Sequence, residues 1–137
     1  MKYAWYGLFI LCVCSLMGSA TADVIGTQDK VVQAIAEPIL DTILEGLATN
    51  DYTKYSKDFD PTLKETISEK RFLDVDRQIE SSIGNFSSRQ YLGFLTKGQM
   101  TLVLWKAKFD KSNDDVLITL VVSKRGEKYL VTGLRFQ

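Results

Sequence analysis

Between Asp29 and Asn50 apolar residues recur at steps of three and four: Val32, Ile35, Ala36, Ile39, Leu40, Ile43, Leu44 and Leu47. That spacing lays one continuous stripe along a helix. Pro38 interrupts it, and an interior proline removes a backbone hydrogen bond, so a kink is expected there, the stripe staying in phase on both sides. Asp51 is placed to cap a short helix carrying Tyr52, Tyr55 and Phe59, and Asp60-Pro61 reads as a cap followed by proline in the first turn. A further helix is expected from about Ser68, with Phe72, Val75, Ile79 and Ile83 on one side and Gly84 as its stop.

Beyond Asn85 the period falls to two, and four strands are predicted at about Ser88 to Thr96, Met100 to Phe109, Val116 to Ser123 and Tyr129 to Phe136. The turns between them are short, which implies an antiparallel meander. Strict alternation places Leu92, Phe94, Val103, Trp105, Ala107, Phe109, Val116, Ile118, Leu120 and Val122 on the face that receives the long helix. The other face then carries Tyr91, Leu95, Leu102, Leu104, Leu117 and Val121 beside Arg89, Lys106, Lys108 and Thr119. The expected fold class is α+β, with N-terminal helices packed on a curved four-stranded antiparallel meander. So many leucines on an open face have two readings: partial cover by lysine stems, or a second copy of the protein meeting the sheet at Leu95, Leu102, Leu104 and Val121.

Residues 1–22 alter the reading of compartment. Lys2 precedes an uncharged apolar run from Tyr3 to Met17, and Ala20-Thr21-Ala22 is a small-x-small cleavage signal, so 1–22 reads as a signal peptide and 23–137 as one exported domain. An uncleaved N-terminal membrane anchor is the rival. Residues 23 to 28 are expected to be a mobile lead-in. Both cysteines, Cys12 and Cys14, fall inside the leader, and the chain has no histidine. The remaining domain therefore lacks the side chains for disulfides, thiol or Ser-His-Asp nucleophiles and His- or Cys-based zinc sites. No cofactor and no metal is implied.

Charge divides with structure. Residues 23–85 hold 7 basic and 13 acidic side chains, and 86–137 hold 9 and 4. Either acidic helices press near a basic sheet, or Arg89, Lys106 and Lys108 form an anion-binding face; nothing in the pattern points to nucleic acid. Asp110, Ser112, Asp114 and Asp115 crowd one turn but lack the spacing of a calcium loop and read as a solvated hairpin. Carboxylate acid-base chemistry stays open through Asp58, Asp60, Asp74 and Asp76, each of which also reads as a cap or a solvated helix face. Tyr52, Tyr55, Phe59, Phe94 and Trp105, with Phe72, are candidates to line a pocket where the short helices meet the end of the sheet, or else to form core. Asn85-Phe86-Ser87 fits a glycosylation sequon.

Leu44-Glu45-Gly46-Leu47, Asn50-Asp51-Tyr52, Phe59-Asp60, Gly84, Ala107-Lys108-Phe109 and the closing Thr132-Gly133-Leu134-Arg135-Phe136 together resemble a small family of exported prokaryotic domains of unknown function in the nuclear transport factor 2-like, or cystatin-like, superfamily. The resemblance spans most of residues 30 to 137. It implies a long helix wrapped by a curved antiparallel sheet, a cone that can hold a pocket, and often a dimer through the sheet. No residue matches a catalytic position of the superfamily's enzymes. The expected function is an exported, non-catalytic domain binding a small apolar ligand or another exported protein. A carboxylate-dependent isomerase or lyase and a structural accessory module of an envelope assembly are the alternatives.

Overall fold

The computed structural model describes residues 21–137; the leader, Cys12 and Cys14 lie outside the described residues. Three helices start at a side chain that caps them. Asp51 accepts from the Lys54 amide at 3.1 Å ahead of α2 (Tyr52–Tyr55), and Asp60 accepts from the Leu63 amide at 2.7 Å ahead of α3 (Pro61–Thr66). Ser68 caps α4 (Glu69–Ser82) in the same way. The long α1 (Asp29–Ala48) is one helix through Pro38, whose ring lies on the exposed side while Val32, Ala36, Leu40 and Ile43 are buried. Gly46 is where α2 crosses α1: an added Cβ would meet the Tyr55 backbone nitrogen at 2.5 Å, so only glycine permits the approach.

The strands β2 (Phe86–Lys97), β3 (Met100–Phe109), β4 (Val116–Arg125) and β5 (Lys128–Phe136) pair antiparallel in sequence order. A two-residue β1 (Ala22–Asp23) joins β4 at Arg125 and Lys124, just past the last β3 partner, Val122. The sheet curls into a half-barrel around α1: the α+β antiparallel meander expected from the strand pattern, in the cone-like form that the family resemblance implied. Within it Val103, Trp105, Ala107, Ile118, Leu120, Val122 and Val131 are fully buried against α1, α2 and Phe72. Each fully buried large apolar side chain stabilises the fold by about 1.5–3 kcal/mol, so this layer dominates the energetics.

Two sequence expectations need correction. Residues 23 to 28 are not a loose lead-in: Asp23 pairs with Lys124, and Ile25 is buried with its amide donating to Thr101 Oγ1 at 3.2 Å. The face assignment of β2 also fails in its first half. A bulge between Tyr91 and Gly93 inserts one residue, so Tyr91 sits opposite inward-facing Trp105 and Phe94 opposite inward-facing Val103. The extra residue, Leu92, is 52% exposed instead of lining the core. Alternation restarts after a bulge, which turns Arg89 and Tyr91 to the helix side. Arg89 therefore cannot share an anion-binding face with Lys106 and Lys108, which stay outside.

Candidate functional site

The inward turn of Arg89 creates a polar clasp between α1 and the β2 edge. Asp29, Gln33, Glu37 and Asp41 stand at successive four-residue steps, on one side of α1. Trp105 donates its indole N–H to Glu37 at 2.9 Å, Arg89 donates to Glu37 and to Asp41, and the Tyr91 hydroxyl donates to Asp29 at 2.9 Å. Burial works against the Glu37 carboxylate, but the hydrogen bonds from Trp105 and Arg89 and the Arg89 charge outweigh it and hold Glu37 below the ordinary carboxylate range. A carboxylate saturated with donors and kept ionised is a brace and a poor general base. Tyr91 is pushed up to about 12 by burial and by its bond to Asp29.

The aromatic candidates separate into two groups. Tyr55 lies 4.6 Å from Phe72 and 5.1 Å from Phe59 between ring centroids, and Tyr52 lies 5.6 Å from Phe72, so these four form one cluster under α2 and α4. Tyr52 also donates to the Ile67 carbonyl at 2.6 Å, tying α2 to the α3–α4 junction. Phe94 and Trp105 belong to the other end, beneath α1, where Trp105 is wholly buried and meets Tyr91 edge-on. Leu95, Leu102 and Val121 line up across three strands on the outer face, with Leu104 in the next row; Leu95 is 51% exposed and the others half-buried.

A wide opening lies at the β5 side of the sheet. A cleft of about 910 Å³ separates α3 and α4 from β5. Its roof is the Arg71, Val75, Gln78, Ile79, Ser82 and Ile83 side of α4, its inner wall is Leu134 and Phe136, and Tyr55 reaches its floor. Past Gly133, which has no side chain to close the rim, the cleft continues onto Leu102, Leu104 and Val121 of the outer face. Phe72 is the one fully buried residue of α4, so Val75, Ile79 and Ile83 stay half-buried over the opening. At its far end α4 is fixed by Gly84, at φ 88°, where an added Cβ would strike Asp110 Oδ1, and by the Lys111 amide donating to the Ile83 carbonyl at 2.9 Å.

No Asp or Glu side chain is among the described residues lining this cleft. Its charged side chains are Arg71 and Arg135, both exposed and neither in an ion pair among the described residues. Burial, then the nearby Tyr52 and Asp76, push the Tyr55 phenol well above its ordinary value, so it does not exchange protons near neutrality. A second cleft, about 790 Å³, is lined by Ile35, Ile39, Phe59 and Tyr129 with Lys57, Lys64, Lys128 and Asp58 at its rim.

Of the carboxylates weighed for catalysis, Asp60 is buried but committed to the α3 cap and to Arg125 at 3.0 Å, and Asp74 pairs with Arg77. Asp76 is raised by burial and by Glu80 and is not among the residues lining the large cleft. In the acidic turn Asp110 accepts from the Asn85 amide and Asp115 pairs with Lys108. The clasp was not read from the sequence, and of the pocket candidates Tyr52, Tyr55, Phe59, Phe94 and Trp105 only Tyr55 lines this cleft. The half-stripe Val75, Ile79, Ile83 and the closing Gly133-Leu134-Arg135-Phe136 were the available signals, while Arg71 and Glu37 had none.

Residues 41–126 match the family model described as a protein of unknown function, DUF3887. The chain belongs to this family. The matched stretch runs from the second half of α1 through β4, so α4 is inside it and β5 is not. Neither the curated proteins nor the solved structures gave a match to the DUF3887 chain. Among the described residues no helix is long and apolar enough to cross a membrane.

Proposed function

We propose that this DUF3887 chain is an exported, non-catalytic binding domain of the nuclear transport factor 2-like superfamily, and that its binding site is the cleft between α4 and β5. The carrying observation is the composition of that cleft: apolar walls from Ile67, Val75, Ile79, Ile83, Leu134 and Phe136, two guanidinium groups, and no Asp or Glu side chain. Its volume is in the range of small-ligand sites, and apolar walls with a few polar groups are the usual build of such sites. A carboxylate-dependent isomerase or lyase finds no base there, and the chain has no histidine to replace one. The leader pattern of residues 1–22 supports export.

The test is binding of 1-anilinonaphthalene-8-sulfonate followed by fluorescence, in the parent and in Val75→Trp, which fills the cleft from a half-buried position. Saturable enhancement in the parent, lost in the variant at unchanged Tm, is the expected result. Equal enhancement in both removes the cleft as the site.

A second reading, contact with another protein or a second copy through the outer face, has its own support. Leu95, 51% exposed, stands in one row with Leu102 and Val121, Met100, 41% exposed, lies two positions before Leu102 on β3, and the bulge residue Leu92 is 52% exposed. Light scattering on Leu95→Lys beside the parent tests it: a dimeric parent and a monomeric variant are expected, and a parent that is monomeric at high concentration ends the homodimer.

A further inference from the structure

β5 is an edge strand, and its two halves are treated differently. At Val131 the edge is already occupied by the chain itself: the Val131 amide donates to the Asp58 carbonyl at 2.7 Å and the Asp60 amide donates to the Val131 carbonyl at 2.9 Å, a parallel bridge centred on Phe59. Pro61 then turns the chain away into α3. Downstream, Gln137 and Leu117 exchange both backbone hydrogen bonds, at 2.6 and 3.0 Å. Antiparallel pairs alternate, so Arg135 and Gly133 turn their backbone groups to β4, while those of Leu134 and Phe136 point away from the sheet toward the cleft. No backbone group among the described residues outside the sheet takes them.

An unpaired edge beside an apolar wall is a template for one more strand. The charges select its chemistry. Arg135 projects on the outer side of β5, Arg71 stands on the α4 side, and no Asp or Glu side chain answers either within the cleft. A second copy pairing β5 against β5 would bring guanidinium groups of like charge together, which is unfavourable across a strand pair.

We infer that the cleft receives an extended, acidic segment of a partner protein, added as a strand to the Leu134–Phe136 edge of β5. Alternate side chains of that segment turn inward onto Val75, Ile79 and Ile83 and are apolar; those between turn outward beside Arg135 and are acidic. This rests on the cleft being the binding site and adds to it the nature of the occupant.

The probe is a fluorescein-labelled octapeptide of alternating Val and Glu, with fluorescence anisotropy on the intact domain. Binding is expected to fall tenfold or more for the Val and Lys counterpart and for Arg135→Glu, whose exposed side chain leaves folding intact. Two versions N-methylated at alternate residues separate the backbone from the side chains: the phase facing β5 loses binding and the other keeps it. Amide exchange at Leu134 and Phe136 slows on addition of peptide. Equal loss or equal retention with both N-methylated phases, or unchanged exchange at those two amides, overturns strand addition. Should dodecanoate displace the anilinonaphthalene dye while the peptide fails to bind, strand addition falls and the cleft survives as a site for amphipathic anions; should neither dye nor peptide enter, both fall.

Discussion

The two edges of this sheet carry similar side chains and opposite arrangements. At the β2 edge Arg89 and Tyr91 turn under α1 and find Glu37, Asp41 and Asp29 waiting, with Trp105 donating to the same Glu37. At the β5 edge Arg135 and Phe136 border an opening whose lining offers no Asp or Glu side chain. An arginine whose partners are supplied by its own chain braces the fold, and one without them is left for something else. The difference originates in the helices: α1 presents Asp29, Glu37 and Asp41 toward β2, whereas α4 presents Val75, Ile79 and Ile83 toward β5.

The largest effect belongs to the closed edge. Trp105→Ala empties a wholly buried site and is expected to cost roughly 3–5 kcal/mol in urea unfolding; a cost below about 1 kcal/mol would mean the edge is not sealed through Trp105. Glu37→Leu comes next, at roughly 2–3 kcal/mol, because it leaves the indole N–H without its acceptor and the partly buried Arg89 guanidinium with Asp41 alone. The same variant sharpens the pH behaviour. The folded Glu37 is lowered from 4.5, so its stabilisation is full above that value and is lost as the pH falls through the lower, folded pKa. Acid unfolding of Glu37→Leu should lack that component, and an unaltered acid limb argues that Glu37 is not held by the clasp. Tyr91→Phe removes one half-exposed hydrogen bond to Asp29 and should cost about 0.5–1.5 kcal/mol in thermal unfolding. At the open edge Arg71→Glu and Arg135→Glu should change stability by no more than about 0.5 kcal/mol, since neither side chain pairs within the fold. A loss above about 1 kcal/mol in either would show the two edges to be braced alike.

Features that depend on neighbours in sequence were legible in it. Asp51 and Asp60 were readable as caps because a cap bonds an amide two or three residues on, and Met100 to Phe109 matched because its alternation is unbroken. Gly46 and Gly84 belonged to the quoted motifs, and the structure supplies the reasons, a helix crossing and a left-handed turn. The stripe was readable through Pro38 because the proline stands on the exposed side of α1 and leaves the buried residues in phase. Leu92 was misplaced because a bulge is a relation between two strands: nothing in Arg89 to Phe94 alone says which residue Trp105 will oppose. Glu37 was overlooked for a similar reason, a glutamate on a helix being indistinguishable from a solvated one until Arg89 arrives from 52 residues away. The cleft was the least visible, because it consists of places where two half-stripes fail to meet.

The manner in which α4 is held explains why that gap persists. Phe72 is keyed into the aromatic cluster at one end, and the Gly84 turn is fastened to Lys111 at the other. The helix is therefore a beam on two piers, and the oily span beneath it cannot be squeezed shut without pulling one of them down. Hollow space of this kind is kept ready in advance, so whatever occupies it meets a room already built.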